Sequence, residues 1–220
     1  MEIWLDTIDK GAIEKAKECG LLHGITTNPT ILSESALPAE ECLEDLLTLF
    51  SGPIAVQVTL RSVTEMIEQG KDLYDFSSRL LIKIPVTEEG VQAIYHLTQL
   101  GIPVMATTIF EPIQALMAIQ AGATYLAPYF SHMGEKALST CLSIQKMLNP
   151  RCKLLVAALN TPEQVAQCAE AGFAAVTLKA ALFKQCLTAP SQTLDHLTRF
   201  ESAWAKAPPS QLLIAPQYIQ

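Results

Sequence analysis

The sequence has no run of lysines and arginines, no apolar stretch long enough for a membrane span, and no paired-cysteine motif. The first absence removes the clustered positive charge of nucleic-acid and anionic-membrane binders, so neither partner is expected. The formal net charge is in fact −7. The second leaves nothing near the roughly 20 apolar residues that a transmembrane helix needs. No basic region with an apolar core precedes EIWLD, so no secretory signal is expected and the expected compartment is the cytoplasm. The six cysteines, Cys19, Cys42, Cys141, Cys152, Cys168 and Cys186, show neither CxxC nor zinc-type spacing. Several fall in apolar surroundings, which predicts reduced buried thiols rather than disulfides. GxGxxG is also missing after the first strand-like run, which counts against an open dinucleotide-binding sheet.

What is present is a chain of 220 residues, 50% hydrophobic and 17% charged, large enough for one sizeable core. Short β-rich runs alternate with helical segments. The expected strands are EIWLD (2–6), LLHGIT (21–26), PIAVQV (53–58), RLLIKI (79–84), IPVMAT (102–107), TYLAPY (124–129), KLLVAA (153–158) and AAVTL (174–178). Helical spacing of apolar residues marks 91–100, 113–121 and 163–171, each closed by a glycine: Gly101, Gly122 and Gly172. Glycine there fits the left-handed conformation common at helix C-termini.

Eight such units predict an α/β fold with a parallel sheet, its strands apolar on both faces because both are covered. At this length the sheet closes most naturally as a single-domain (β/α)8 TIM barrel over 1–190. An additional C-terminal helix (191–207) is expected, stopped by Pro208 and Pro209. The apolar tail QLLIAPQYIQ follows, packing on the barrel or on a neighbouring subunit.

One strand holds an anomaly. In RLLIKI, Lys83 interrupts an apolar run. Alternation places Leu81 and Lys83 on one face, and Leu80, Ile82 and Ile84 on the other. Polar residues fall at matching places in other units: Asp6, Gln57 and Thr107 near strand ends, Tyr129 after the sixth strand, and Thr26-Thr27-Asn28-Pro29 after the second. Singly, each has an ordinary explanation as a snorkelling lysine, a helix cap or a turn residue. Jointly, they would converge on the C-terminal rim, where barrels of this kind build active sites. A core alone would not bear the cost of so many polar groups at one end. Burial disfavours the charged form of a lysine, and the neutral amine can attack a ketone to form a Schiff base.

The motifs LDT (5–7), GITTNPTIL (24–32), QV (57–58), KIPVTEEGVQAI (83–94), GIPVMATTIF (101–110) and AGATYLAPY (121–129) resemble the small transaldolase family, nearest to its fructose-6-phosphate aldolase branch. The likeness continues through VAALNTP (156–162) and AGFAAVTL (171–178) to FESAW (200–204). This resemblance implies a TIM barrel and Schiff-base chemistry without metal or organic cofactor. It also implies sugar or ketone donors, aldehyde acceptors and a homo-oligomer, a ring-based decamer in the aldolase branch. By the same resemblance Lys83 is the Schiff-base lysine, Asp6 and Asn28 hold donor hydroxyls, and Thr26 lines the pocket. A water bridging Gln57, Thr107 and Tyr129 carries protons. Transaldolases of the family usually have Glu, Phe and Ser where Gln57, Tyr129 and Ala127 stand, so these three point to the aldolase branch.

Two positions depart from the pattern. His132 stands where the family has a phosphate-binding arginine, and Ala158 where the aldolase branch has a serine. Neutral histidine and alanine bind phosphate far less well than an always-charged, bidentate arginine. Weakened recognition of phosphorylated acceptors is expected, unless His132, Lys136 or Arg61 supplies a substitute charge. The expected function is a class I aldolase joining a dihydroxyacetone-type ketone to an aldehyde, with an altered phosphate site. The alternatives are a transaldolase and a non-catalytic sugar-binding barrel; intact Lys83, Gln57, Thr107 and Tyr129 argue against the last.

Overall fold

All eight expected strands form, each within two residues of its expected limits: β1 (Glu2–Asp6), β2 (Leu22–Thr26), β3 (Ile54–Gln57), β4 (Leu80–Pro85), β5 (Val104–Ile109), β6 (Tyr125–Pro128), β7 (Lys153–Val156) and β8 (Ala175–Leu178). In this computed structural model, which describes residues 1–206, they pair in parallel and in sequence order. β1 pairs with both β2 and β8, which closes the barrel. The helices are α1 (Lys10–Glu18), α2 (Pro29–Ser33), α3 (Ala39–Leu49), α4 (Val63–Phe76), α5 (Glu88–Gln99), α6 (Pro112–Gln120), α7 (Ala137–Gln145), α8 (Pro162–Glu170), α9 (Ala180–Leu187) and α10 (Ser191–Trp204). Gly101, Gly122 and Gly172 end α5, α6 and α8 at φ of 77°, 96° and 72°, the left-handed region the sequence predicts.

Strand alternation separates two cores. Leu80, Ile82 and Ile84 belong to the large apolar layer between strands and helices, together with Ile13, Ile94 and Leu97 from the helices. Leu81 belongs to a smaller cluster inside the barrel with Trp4, Ala55, Met105, Ala127, Leu155 and Ala175. The inner cluster sets alanines and mid-sized apolar side chains around one large one. Trp4 is 0% exposed. Its indole lies so close to β2 that a Cβ on Gly24 would sit 2.3 Å from Trp4 Cε3. The glycine is there because the ring needs its space.

Below Trp4, polar groups gather at the N-terminal mouth. The Glu2 carboxylate accepts hydrogen bonds from Trp4 Nε1 at 3.1 Å, Tyr125 OH at 3.1 Å and Lys153 Nζ. Burial alone would raise the Glu2 carboxyl, but the bonds from Lys153 and Trp4 outweigh it and hold the group below its usual range. The cysteines are all free, with Cys42, Cys141, Cys152 and Cys168 buried. Burial pushes the thiols of Cys141, Cys152 and Cys168 up to about 12, which leaves them protonated and inert.

Residues 1–186 form one compact unit and the chain from Leu187 onward a second. Taken by itself, α10 has no buried residue, and Leu194, Leu197, Phe200 and Trp204 are exposed. The expected helix stop at Pro208 and Pro209, and the tail 211–220, lie outside the described residues.

The Trp4–Gly24 contact predicts that Gly24→Ala overpacks the barrel floor, costing about 1–3 kcal/mol. Gly101→Ala, where an added Cβ meets nothing within 4 Å, carries only the left-handed backbone cost of about 1–2 kcal/mol. Thermal melts followed by Trp fluorescence check both: Gly24→Ala should alter the buried Trp4 emission and Gly101→Ala should not.

Candidate active site

Two residues above the apolar floor, the inward positions turn polar. Asp6 follows Trp4, Thr26 follows Gly24, Gln57 follows Ala55, Lys83 follows Leu81, Thr107 follows Met105 and Thr177 follows Ala175. Register makes this a ring: Asp6 is opposite Thr26, and Gln57 is opposite Lys83. The period of two along each strand, combined with closure, is what gathers residues distant in sequence.

Lys83 is 4% exposed. Its Nζ donates to the backbone carbonyl of Thr27 at 3.0 Å. Burial drives its pKa below the ordinary 10.5, and the Asp6 charge opposes this without cancelling it. The amine is thereby easier to deprotonate than an exposed lysine.

Asp6 is held in turn. Thr26 Oγ1 donates to Asp6 Oδ1 at 2.7 Å and lies 2.7 Å from Thr177 Oγ1. With its single proton committed to Asp6, Thr26 accepts from Thr177, so the three form a chain. Asp6 is not a helix cap; that role in α1 falls to Asp9, whose Oδ1 accepts from Ala12 N at 2.8 Å. Asn28 does cap α2, accepting from Ile31 N at 3.0 Å through Oδ1. Its amide nitrogen makes no hydrogen bond among the described residues and remains available to a ligand.

On the other side of the ring, Thr107 Oγ1 donates to Tyr129 OH across a long 3.4 Å. The Tyr129 ring meets Phe110 edge-on at 5.7 Å and His132 tilted at 5.8 Å. Both rim segments carry backbone strain. Thr108, at φ 56°, bulges out of β5 where its register with β6 slips. Ala158, just past β7, has φ 57°. Non-glycine residues in this region cluster at functional sites.

Asp6, Thr26, Asn28, Lys83, Ala127, Tyr129, His132 and Ala158 all line one cavity of about 150 Å³. Two expected site residues do not. Thr107 is fully buried and reaches the cavity through Tyr129. Gln57 is half-buried beside Lys83 in register, with no side-chain hydrogen bond among the described residues. Arg61 and Lys136, the other suggested sources of phosphate-binding charge, are exposed and do not line the cavity. Sequence reasoning missed Thr177, Lys179 and Asn160, which do line it. The signal for the first two was available: AAVTLK continues the inward period of β8 through residues 175, 177 and 179.

A family model described as Transaldolase/Fructose-6-phosphate aldolase matches residues 3–212. The chain belongs to this family. Among relatives, a probable transaldolase of Coprothermobacter proteolyticus is 34% identical, over 94% of this chain and 98% of its own length. A probable transaldolase of Thermoplasma volcanium is 32% identical, over 95% and 97%. Among solved structures, the YdjI aldolase from Escherichia coli K12 superposes with a TM-score of 0.62 at 13% identity, covering 83% of this chain and 76% of that one. A structure described as native KDPGal gives 0.59 at 19% identity, covering 80% of each. At such identities the two structures speak for the fold, a (β/α)8 barrel. The chain is thus an enzyme of the aldolase and transaldolase type. Among the described residues, no helix is long and apolar enough to cross a membrane.

Burial of the Lys83 amine sets a stability slope. Its folded pKa lies below the unfolded 10.5, so the unfolded chain binds more protons between those two values and stability rises with pH across that window. Lys83→Met removes this slope. Urea melts at pH 7 and at pH 10 should find the variant at least as stable as the native chain at the lower pH, with any advantage shrinking at the higher.

Proposed function

We propose that this chain is a class I aldolase, joining and cleaving a dihydroxyacetone-type ketone and an aldehyde through a Schiff base on Lys83. The observation that carries the reading is the buried Lys83 amine, its pKa lowered, lining the same cavity as the Asp6 carboxylate. In the synthetic direction the neutral amine attacks the ketone carbonyl and forms a carbinolamine. The carbinolamine hydroxyl leaves as water, taking a proton through a water shared by Tyr129, Thr107 and Gln57, and an iminium results. Loss of a proton from the adjacent carbon to that water gives the enamine. Its carbon attacks the aldehyde carbon, the new bond forms, and the aldehyde oxygen takes a proton from the same relay. Hydrolysis of the new iminium returns product and free Lys83. Asp6, aligned by the Thr26–Thr177 chain, and the unused amide of Asn28 hold the donor hydroxyls.

Gln57, Tyr129 and Ala127 favour the fructose-6-phosphate aldolase branch. The long Thr107–Tyr129 hydrogen bond supports a hydroxyl pair able to open around a water. At the acceptor end, His132 and Ala158 replace the arginine and serine of the family pattern, and the His132 ring packs in an aromatic wall with Tyr129 and Phe110. The phosphate site is therefore altered. A cytoplasmic homo-oligomer goes with the same reading. The second reading is a transaldolase, favoured by the names of relatives at 32–34% identity over most of both chains. A transaldolase passes the dihydroxyacetone unit between sugar phosphates and does not release it.

Incubation with dihydroxyacetone and borohydride, followed by peptide mass mapping, should place one reduced adduct on Lys83 and none in Lys83→Met. The trapping rate should rise with pH as the amine loses its proton, with a midpoint below 10.5. Tyr129→Phe should slow turnover by about 10²–10⁴-fold, the usual contribution of a positioned proton-transfer group. Free dihydroxyacetone released from fructose 6-phosphate separates aldolase from transaldolase. No adduct on Lys83 would contradict both.

A further inference from the structure

The cavity is lined by two lysines, and the proposed mechanism uses one. Lys83 is the buried nucleophile; the other is Lys179, which lines the same cavity. Lys179 follows Leu178 at the end of β8 and continues the inward alternation of Ala175 and Thr177. Among the described residues its ammonium makes no hydrogen bond and no ion pair. An exposed surface lysine needs no explanation, but an unpaired one facing into an active-site cavity does.

Its neighbours in the cavity wall give the explanation. Asn160 and Ala158 come from the segment after β7, adjacent to β8. Asn160 is fixed through its backbone, whose N–H donates to Gln164 Oε1 at 2.8 Å, and its side chain makes no hydrogen bond among the described residues. The cavity thus has two different ends. Lys83 lies at one, buried and in register with Gln57. At the other an exposed ammonium just past β8 and an exposed amide from the segment after β7 are both unpaired among the described residues. Barrels of this architecture commonly seat anionic groups at that edge. His132, the residue at the family's arginine position, is packed against Tyr129 and Phe110 as an aromatic ring.

We propose that Lys179, assisted by the Asn160 side-chain amide, is the specificity-determining residue that binds the anionic group of a phosphorylated aldehyde acceptor. The inference rests on the aldolase reading above and deepens it. The charge missing from the expected position is supplied from a different strand. A lysine acts here as a point charge, without the planar, two-pronged geometry of arginine. The site should then grip a phosphate by charge and tolerate variation in its orientation.

The test uses the full chain and two readouts. In aldol addition of dihydroxyacetone, the ratio of kcat/KM for glyceraldehyde 3-phosphate to that for glyceraldehyde should fall on the order of 10–100-fold in Lys179→Met, as expected for one charge-assisted contact. The loss should lie mainly in KM, and Lys179→Arg should restore most of it. Independently of turnover, inorganic phosphate should raise the melting temperature of the native chain and of His132→Gln, but not of Lys179→Met. Trapping of dihydroxyacetone on Lys83 in each variant reports on the aldolase reading separately, since it needs no acceptor. The proposal is overturned by an unchanged acceptor ratio in Lys179→Met. A native chain that phosphate does not stabilise, or phosphate protection lost in His132→Gln and kept in Lys179→Met, overturns it equally.

Discussion

Everything in this barrel is arranged around an amine that water barely reaches. Taking an ammonium out of water is costly, and the protein offsets little of that cost directly: one backbone carbonyl, from Thr27, accepts from Lys83. A fully satisfied ion pair would have stabilised the charged form and kept the amine protonated. Asp6 is near enough to favour the charge, yet its own oxygen is engaged by Thr26. Desolvation wins over attraction, and on the proposed reading that balance is what would make Lys83 a nucleophile.

The fold supplies the desolvation. Inside the cylinder, Trp4 with alanines, leucines and Met105 makes an apolar floor, and beneath it Glu2 is bound by Tyr125 and Lys153. Above the floor, one step of the strand alternation converts an apolar layer into a polar ring. Outside, the large apolar layer between strands and helices holds the closure that brings β1 to β8, and with it Asp6 and Thr26 to Thr177. Most of the buried apolar surface lies in that outer layer, and the inner ring carries the residues of the proposed chemistry.

Much of this was legible in the sequence, for identifiable reasons. The strand runs, the glycines at Gly101, Gly122 and Gly172 and the absence of a phosphate-binding glycine fingerprint were enough for the barrel. Alternation in RLLIKI was enough to face Lys83 inward. What escaped is equally instructive. Asp6 could be read as a helix cap until Asp9 was seen to fill that role. Asn28 proved to be both a cap and a cavity residue, because Oδ1 and the amide nitrogen face different tasks. Thr177 passed unnoticed since threonine is ordinary in a strand, and Lys179 because it lies one residue past β8. The bulge at Thr108 and the left-handed Ala158 had no sequence signal, since neither residue type favours that conformation.

Direct titration of the Lys83 Nζ, observed by NMR in a chain carrying isotope-labelled lysine and compared with Lys83→Met for assignment, bears most closely on this account. The resonance of Lys83 should lose its proton at a lower pH than those of the exposed lysines, distinctly below 10.5. Titration together with the surface lysines would mean that the site does not desolvate its amine, and the explanation of reactivity offered here would be wrong.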